Sequence, residues 1–303
     1  MAYDIHKERR QRLRKLVRHP QLRELVIEQL KTPWSPEQIA GRLLADGVSA
    51  VRVCSETIYR FIYGKEDQAL ELHQHLAEGR SKRRPPAARG NTVTALFRLP
   101  AGYRNAHFIG DRSQFGHWEG DLLIFERDFG NANLISLVER KSRYTVMIKN
   151  PSRRSRPIMD KIIETFSPLP AFARQSFTFD RGTEFAALGL WKMASARGAG
   201  SATPVRRGGK VRWKNANKRI RRFTPSDTDL TAVTQQQLVA LVHHLNALPR
   251  KCLGYRTSAE VFIAHCETAR DALPFTRQCC AWTRFSRVNI GPGGIGNQSR
   301  CDN

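Results

Sequence analysis

Ser176-Phe177-Thr178-Phe179-Asp180-Arg181-Gly182-Thr183-Glu184-Phe185, taken with Gly116-His117-Trp118-Glu119-Gly120-Asp121-Leu122-Leu123-Ile124-Phe125, decides how the chain folds. Each stretch holds a short apolar, β-prone run with an acid at one end. Asp121 opens Leu-Leu-Ile-Phe, and Asp180 closes Phe-Thr-Phe ahead of a glycine. Two buried strands of this kind present two carboxylates at one site. Hard divalent ions take oxygen ligands, usually one or two carboxylates plus substrate phosphates, so Asp121 and Asp180 read as a metal-ligating pair suited to phosphoryl transfer. Asp180 before Arg-Gly also reads as a simple turn residue. Glu119 shares a face with Asp121 by strand alternation and is placed to assist it, and Glu184 lies close in sequence; both read more simply as solvated acids.

Outward from these stretches, strands are predicted over 120–125, 133–139 and 143–149. The last two are separated only by Arg140-Lys141-Ser142, which points to antiparallel hairpins. A helix over 156–166 follows, then a strand over 176–180. Gln235 to Ala247 reads as a helix with Leu238, Leu241, Val242 and Leu245 on one face. The pattern is that of an α/β domain with a mixed sheet and flanking helices.

The amino-terminal third is helical instead. Leu13, Leu16, Val17, Leu22, Leu25, Val26 and Leu30 recur at helical spacing over 6–31, interrupted at Pro20, with Arg9, Arg10, Arg12, Arg14, Lys15 and Arg18 crowding the first half. Ser35-Pro36-Glu37-Gln38 then forms a capping box with proline at the first helical position. Ile39, Leu43 and Leu44 give its buried stripe, Gly47 ends it, and Ser55 is placed to cap a second helix through Ile58, Tyr59, Ile62 and Tyr63. Two helices joined by a short connection make a helix-turn-helix, or a helical hairpin packed on a core. If the pair docks on DNA, Ser55, Glu56, Thr57 and Arg60 face the major groove. Ser81-Lys82-Arg83-Arg84-Pro85-Pro86 opens a basic, proline-rich linker whose Lys82, Arg83 and Arg84 are suited to a DNA backbone.

Composition agrees with a polyanionic partner. The 303 residues carry 51 Lys and Arg against 27 Asp and Glu, a formal charge of +24, and nucleic acid is the partner such a field favours. No apolar run spans a bilayer, no basic amphipathic anchor stands out, and Met1-Ala-Tyr-Asp-Ile leads into charge rather than an apolar leader; a cytoplasmic protein with no membrane partner is expected. The six cysteines follow no metal-ligand spacing and are expected to be reduced thiols.

Four blocks, Phe115 to Leu122, Leu137 to Tyr144, Thr178 to Phe185 and Leu248 to Phe262, together with Trp34 to Leu43 and Ser55 to Arg60, resemble the transposases of the insertion sequence 30 family, in order and over roughly 34–267. The resemblance implies a ribonuclease-H-like, integrase-type core using an Asp, Asp, Glu triad with Mg²⁺ or Mn²⁺ to cut and join DNA. It places Asp121 and Asp180 at the first two positions. It further implies double-stranded terminal-repeat and target DNA as partners, and a homo-oligomer assembled on DNA. The expected layout is a basic helical lead over 1–34, a helix-turn-helix over 35–64, the linker over 65–110, the catalytic core over 111–267 and an irregular tail over 268–303. Relatives carry a further helix-turn-helix upstream, so the chain is expected to be amino-terminally truncated.

The third acid of the family lies on a helix, within Pro-Trp-x-x-Gly-x-x-Glu-Asn-x-Asn. Here Lys214-Asn215-Ala216-Asn217 matches the downstream half, with thirty-three residues between Asp180 and Lys214, and Lys214 occupies the glutamate position. An ammonium group has no lone pair to offer a metal. Gly200 to Lys214 can be written in synonymous codons that, read one base earlier, give Phe-Cys-Asp-Pro-Gly-Ser-Pro-Trp-Arg-Lys-Gly-Ala-Val-Glu, the family pattern with its glutamate at 214. We therefore expect 187–214 to be translated out of frame between two compensating single-base shifts. Three readings follow: an impaired transposase, a DNA-binding relic without catalysis, and a helix-turn-helix regulator with an unrelated second domain.

Overall fold

The computed structural model describes residues 15–32, 34–47, 51–64, 68–76, 78–83, 113–179, 185 and 214–271. Asp180, Glu184, Arg84, most of the basic linker, nearly all of the 187–214 segment and the tail after 271 lie outside the described residues. The described chain divides into two compact units. One is formed by the residues up to 83 with Leu248–Arg256, the other by the remainder from 113 onward.

In the first unit, α1 (Lys15–Arg18) and α2 (Pro20–Lys31) are separated at His19, because Pro20 supplies the fixed φ of a helix start but no N–H to continue one. α3 (Pro36–Asp46) begins with the predicted capping box. Ser35 Oγ accepts from Gln38 N at 3.3 Å, and Gln38 Oε1 accepts from Ser35 N at 2.8 Å. Gly47 ends it at φ 63°, a conformation that favours glycine. α4 (Ser55–Ile62) follows. Leu16, Leu22, Val26, Leu30, Ile39, Leu43, Ile58, Phe61 and Ile62 form the core of the unit. Leu44, expected in the buried stripe, is 59% exposed, since it lies one residue round the helix from Leu43.

The segment Leu248–Arg256 closes onto α3. Gln38 Nε2 donates to the Pro249 carbonyl at 2.8 Å, Arg42 Nη1 to the Tyr255 carbonyl at 3.3 Å, and Lys251 Nζ lies 2.9 Å from Glu37. Gly41 has no room for a side chain: a Cβ there would come within 2.2 Å of the Tyr255 ring.

The second unit is built on a four-stranded sheet of β1 (His117–Ile124), β2 (Asn133–Glu139), β3 (Thr145–Asn150) and β4 (Ser176–Phe179) in the order β3-β2-β1-β4. β1, β2 and β3 pair antiparallel, and β4 pairs parallel to β1 after a crossover through α5 (Ser155–Phe166). This is the ribonuclease-H-like order. Both faces are covered, so every residue of β2 is buried. On one face Trp118, Leu137, Tyr144 and Phe177 pack with Ile158, Ile162 and Phe166 of α5 and with Phe262 of α8 (Ser258–Asp271). On the other, Leu123, Leu134 and Met147 pack with Ile220 of α6 (Lys214–Ile220) and with Leu238, Val242 and Leu245 of α7 (Gln235–Asn246). Gly120 is required where it stands: its register partner Phe179 crosses β1 there, and a Cβ would meet that ring at 2.3 Å. No helix among the described residues is long and apolar enough to cross a membrane.

Glu139 locks the β2–β3 turn. Fully buried, it accepts from Gly116 N at 3.1 Å, Lys141 N at 3.0 Å, and Ser142 N and Oγ each at 2.6 Å. Burial pushes its carboxyl above the ordinary 4.5, with those donors pulling the other way. An acid whose pKa rises on folding stabilises fully below its unfolded value and loses that contribution as pH rises through the folded value. Glu139→Ala is therefore expected to cost about 3 kcal/mol by stranding buried N–H groups, read as a lower denaturant midpoint. It should also remove the part of the stability loss that wild type shows as pH climbs above 4.5.

Candidate active site and nucleic-acid interface

Asp121 stands mid-strand in β1, its side chain on the face opposite Trp118 and Leu122 because strand side chains alternate. The half-buried carboxylate is hydrogen-bonded at both oxygens: Oδ1 accepts from Leu122 N at 2.9 Å, and Oδ2 accepts from Asn217 Nδ2 on α6. Asn217 Oδ1 in turn accepts from Ser136 Oγ at 3.2 Å, and Ser136 is the cross-strand partner of Asp121. One amide thus spans the β1–β2 pair. Two further contacts fix α6 and the turn after it: Ile220 is buried in the core, and Arg221 donates from Nη2 to the Ile124 carbonyl at 2.6 Å with its guanidinium 4.7 Å from the Phe125 ring centre. Burial lowers the Arg221 pKa, and the Asp121 charge opposes that shift.

Position 214 is the first residue of α6, three residues before Asn217. β4 runs beside β1, its described pairing ending with Gly120 opposite Phe179, and Asp180 lies outside the described residues. Among the described residues no group of three or more His, Cys, Asp or Glu is placed to hold a metal ion. Of the residues that the metal reading names, only Asp121 has its side chain described, and each of its carboxylate oxygens accepts an N–H.

Glu119 is not the solvated acid the sequence suggested. It is 6% exposed and paired with Arg140, Nε to Oε1 3.0 Å, an ion pair without a well-aimed N–H. A buried carboxylate needs such a partner, and β2 brings Arg140 to it. The free thiols Cys54 and Cys252 are exposed and Cys266 is buried.

In the first unit α4 begins one residue earlier than expected. Cys54, extended at φ −108°, is the N-cap: its carbonyl accepts from Ile58 N at 3.2 Å, and Ser55 becomes the first helical residue instead of the cap. With Ile58, Phe61 and Ile62 buried, Glu56, Tyr59, Arg60 and Tyr63 follow one another along the outward side. Thr57 Oγ1 lies 3.3 Å from Cys54 Sγ. Arg60 Nε is 3.2 Å from Glu56 Oε1. Arg83 grips the same carboxylate with both nitrogens, Nη1 to Oε1 at 2.8 Å and Nη2 to Oε2 at 2.6 Å, and its guanidinium stands 4.9 Å from the Tyr59 ring centre. Lys82 is exposed, and Arg84 is outside the described residues. The Arg83 guanidinium holds the Glu56 carboxyl down to about 2, so the pair persists until pH falls to that value, while the stability it contributes is fully present above 4.5 and declines below it.

Sequence reasoning did not assign a role to Asn217, Ser136 or Arg221, nor the Glu56–Arg83 pair. Only Asn217 had a local signal, its three-residue spacing from position 214.

No protein-family model matches the chain. It is 32% identical over 248 residues to the transposase InsI for insertion sequence element IS30A of Escherichia coli (strain K12), covering 79% of this chain and 64% of that protein. It is also 28% identical over 255 residues to the transposase for insertion sequence element IS1086 of Cupriavidus metallidurans, covering 81% and 73%. A third relative, the transposase for insertion sequence element IS4351 of Bacteroides fragilis, is 27% identical over 259 residues, covering 84% and 77%. The chain thus spans less than two thirds of the length of the Escherichia coli protein. Among solved structures, the catalytic core domain of BIV integrase aligns with 51% of this chain and 98% of its own at 16% identity and a TM-score of 0.37.

Proposed function

We propose, for a chain homologous to the transposases of insertion sequence 30, that it binds the terminal-repeat DNA of such an element and does not cut it. The reading element is the α3–α4 pair. α4 enters the major groove with Ser55, Glu56, Thr57 and Arg60, while Lys82, Arg83 and Arg84 track phosphates. The formal charge of +24 favours the encounter.

The observation that carries the second half of the proposal is the docking of α6 on Asp121 through Asn217, with Lys214 three residues before it where the third acid of the family stands. A complete set of two aspartates and a glutamate would hold Mg²⁺ or Mn²⁺, whose part is to stabilise the attacking and leaving oxygens of phosphodiester cleavage. Asp121 and Asp180 are what remains of that set in this chain. A cation in place of the third ligand adds repulsion where a bound ion needs negative charge.

Gel retardation on terminal-repeat and scrambled duplexes over a salt series tests the binding half. Preference for the repeat is expected, with the logarithm of affinity falling linearly with the logarithm of salt by about 0.9 per phosphate contact. Equal affinity for both duplexes at every salt concentration would overturn it.

A further inference from the structure

The chain from Arg80 to Arg83, where the basic linker begins, is tied to α4 at two places. Tyr63 Oη donates to the Arg80 carbonyl at 3.1 Å, and Arg83 holds Glu56 through both nitrogens while stacking on Tyr59. A basic strap thus covers the acid at the second position of the helix placed to read DNA. An uncovered carboxylate at that position would meet phosphates and repel them. Carboxylates at such positions also have a specific use, accepting from the exocyclic amino group of cytosine in the major groove.

We propose that Glu56 is a base-reading carboxylate that Arg83 covers in the free protein and releases on DNA, the guanidinium passing to a backbone phosphate as Glu56 turns to a cytosine amino group. The proposal rests on α4 being the reading helix. The exchange keeps the chemistry of both partners, because the fork of N–H donors that fits a carboxylate fits a phosphate equally well. It is also easy. The two side chains are 35% and 46% exposed, and exposed ion pairs are weak and screened by salt, so a dense row of phosphates competes effectively for Arg83. Arg60 touches Glu56 through Nε at 3.2 Å, with 74% of its side chain exposed, so it can keep the carboxylate oriented after Arg83 leaves. Lys82 precedes Arg83 on the strap and would follow it to the backbone.

The test is selection of duplexes from a random library by the full chain, by Glu56→Gln and by Arg83→Ala, with affinities measured across a salt series. Both positions are exposed, so matched melting curves confirm that the variants fold. Glu56→Gln is expected to keep or raise its affinity for unrelated DNA and to lose about tenfold of the discrimination at one G·C pair. Arg83→Ala is expected to keep that base preference and to reduce the salt slope by about 0.9. Wild-type discrimination at every position in Glu56→Gln would overturn the proposal, as would an unchanged salt slope in Arg83→Ala. A wild-type chain that selects no sequence would instead remove the DNA-reading function on which the proposal stands.

Discussion

Replacing residues 187–214 with the peptide of the shifted frame, so that 214 becomes glutamate, is expected to turn a chain without cleavage into one that nicks terminal-repeat ends in Mg²⁺. The gain should be on the order of a thousandfold or more, because a bound metal supplies several kcal/mol of transition-state stabilisation and each 1.4 kcal/mol is a factor of ten. The helix that carries position 214 already sits on Asp121 through Asn217 and is anchored by Ile220, so the restored acid would arrive on a scaffold in place. Lys214→Glu alone should stay inactive, since Arg206, Arg207 and Arg212 remain where the shifted frame reads Ser, Pro and Ala, and Gly208 where it reads Trp. The assay is conversion of end-labelled duplex to nicked product, with Asp121→Ala and Asp180→Ala in the restored chain as controls. A restored chain that folds, binds and still fails to nick would show that more than the third acid has been lost. Sequencing the gene across codons 180–220 decides the frame itself.

Trp118→Ala is expected to destabilise the second unit by about 3–5 kcal/mol, a cost typical of a large aromatic removed from a core that cannot close around the gap. The indole is fully buried, donates from Nε1 to the Ala173 carbonyl at 2.7 Å and meets Phe166 edge-on with ring centres 4.7 Å apart. Losing it leaves both a cavity and an unpaired carbonyl between β1 and the approach to β4. Denaturant melts followed by near-ultraviolet circular dichroism would measure it, and a loss under 1 kcal/mol would mean that Trp118 is not the centre of this core.

The sheet was legible because its signals are local. Short apolar, β-prone runs marked β1, β2 and β3, the crossover helix was long enough to read, and the short Phe-Thr-Phe run gave β4. The capping boxes at Ser35 and Thr234 show the same locality, although only the first was recognised. What stayed hidden depends on pairs far apart in sequence. Gln38 meets Pro249 across 211 residues, Asn217 meets Asp121 across 96, and Arg83 meets Glu56 across 27. Glu119 was misread for the same reason: alternation gives its face, but only the fold brings Arg140 to neutralise it. At α4 the serine suggested a cap, yet the backbone turned one residue sooner at Cys54, a shift that propensity does not resolve.

The most direct test of the account is the chain as it stands, incubated with labelled terminal-repeat duplex in Mg²⁺ and, separately, in Mn²⁺, with retardation and nicking followed in the same samples. The account predicts a retarded complex and no nicked strand in either metal. Nicked product that disappears in Asp121→Ala would contradict it.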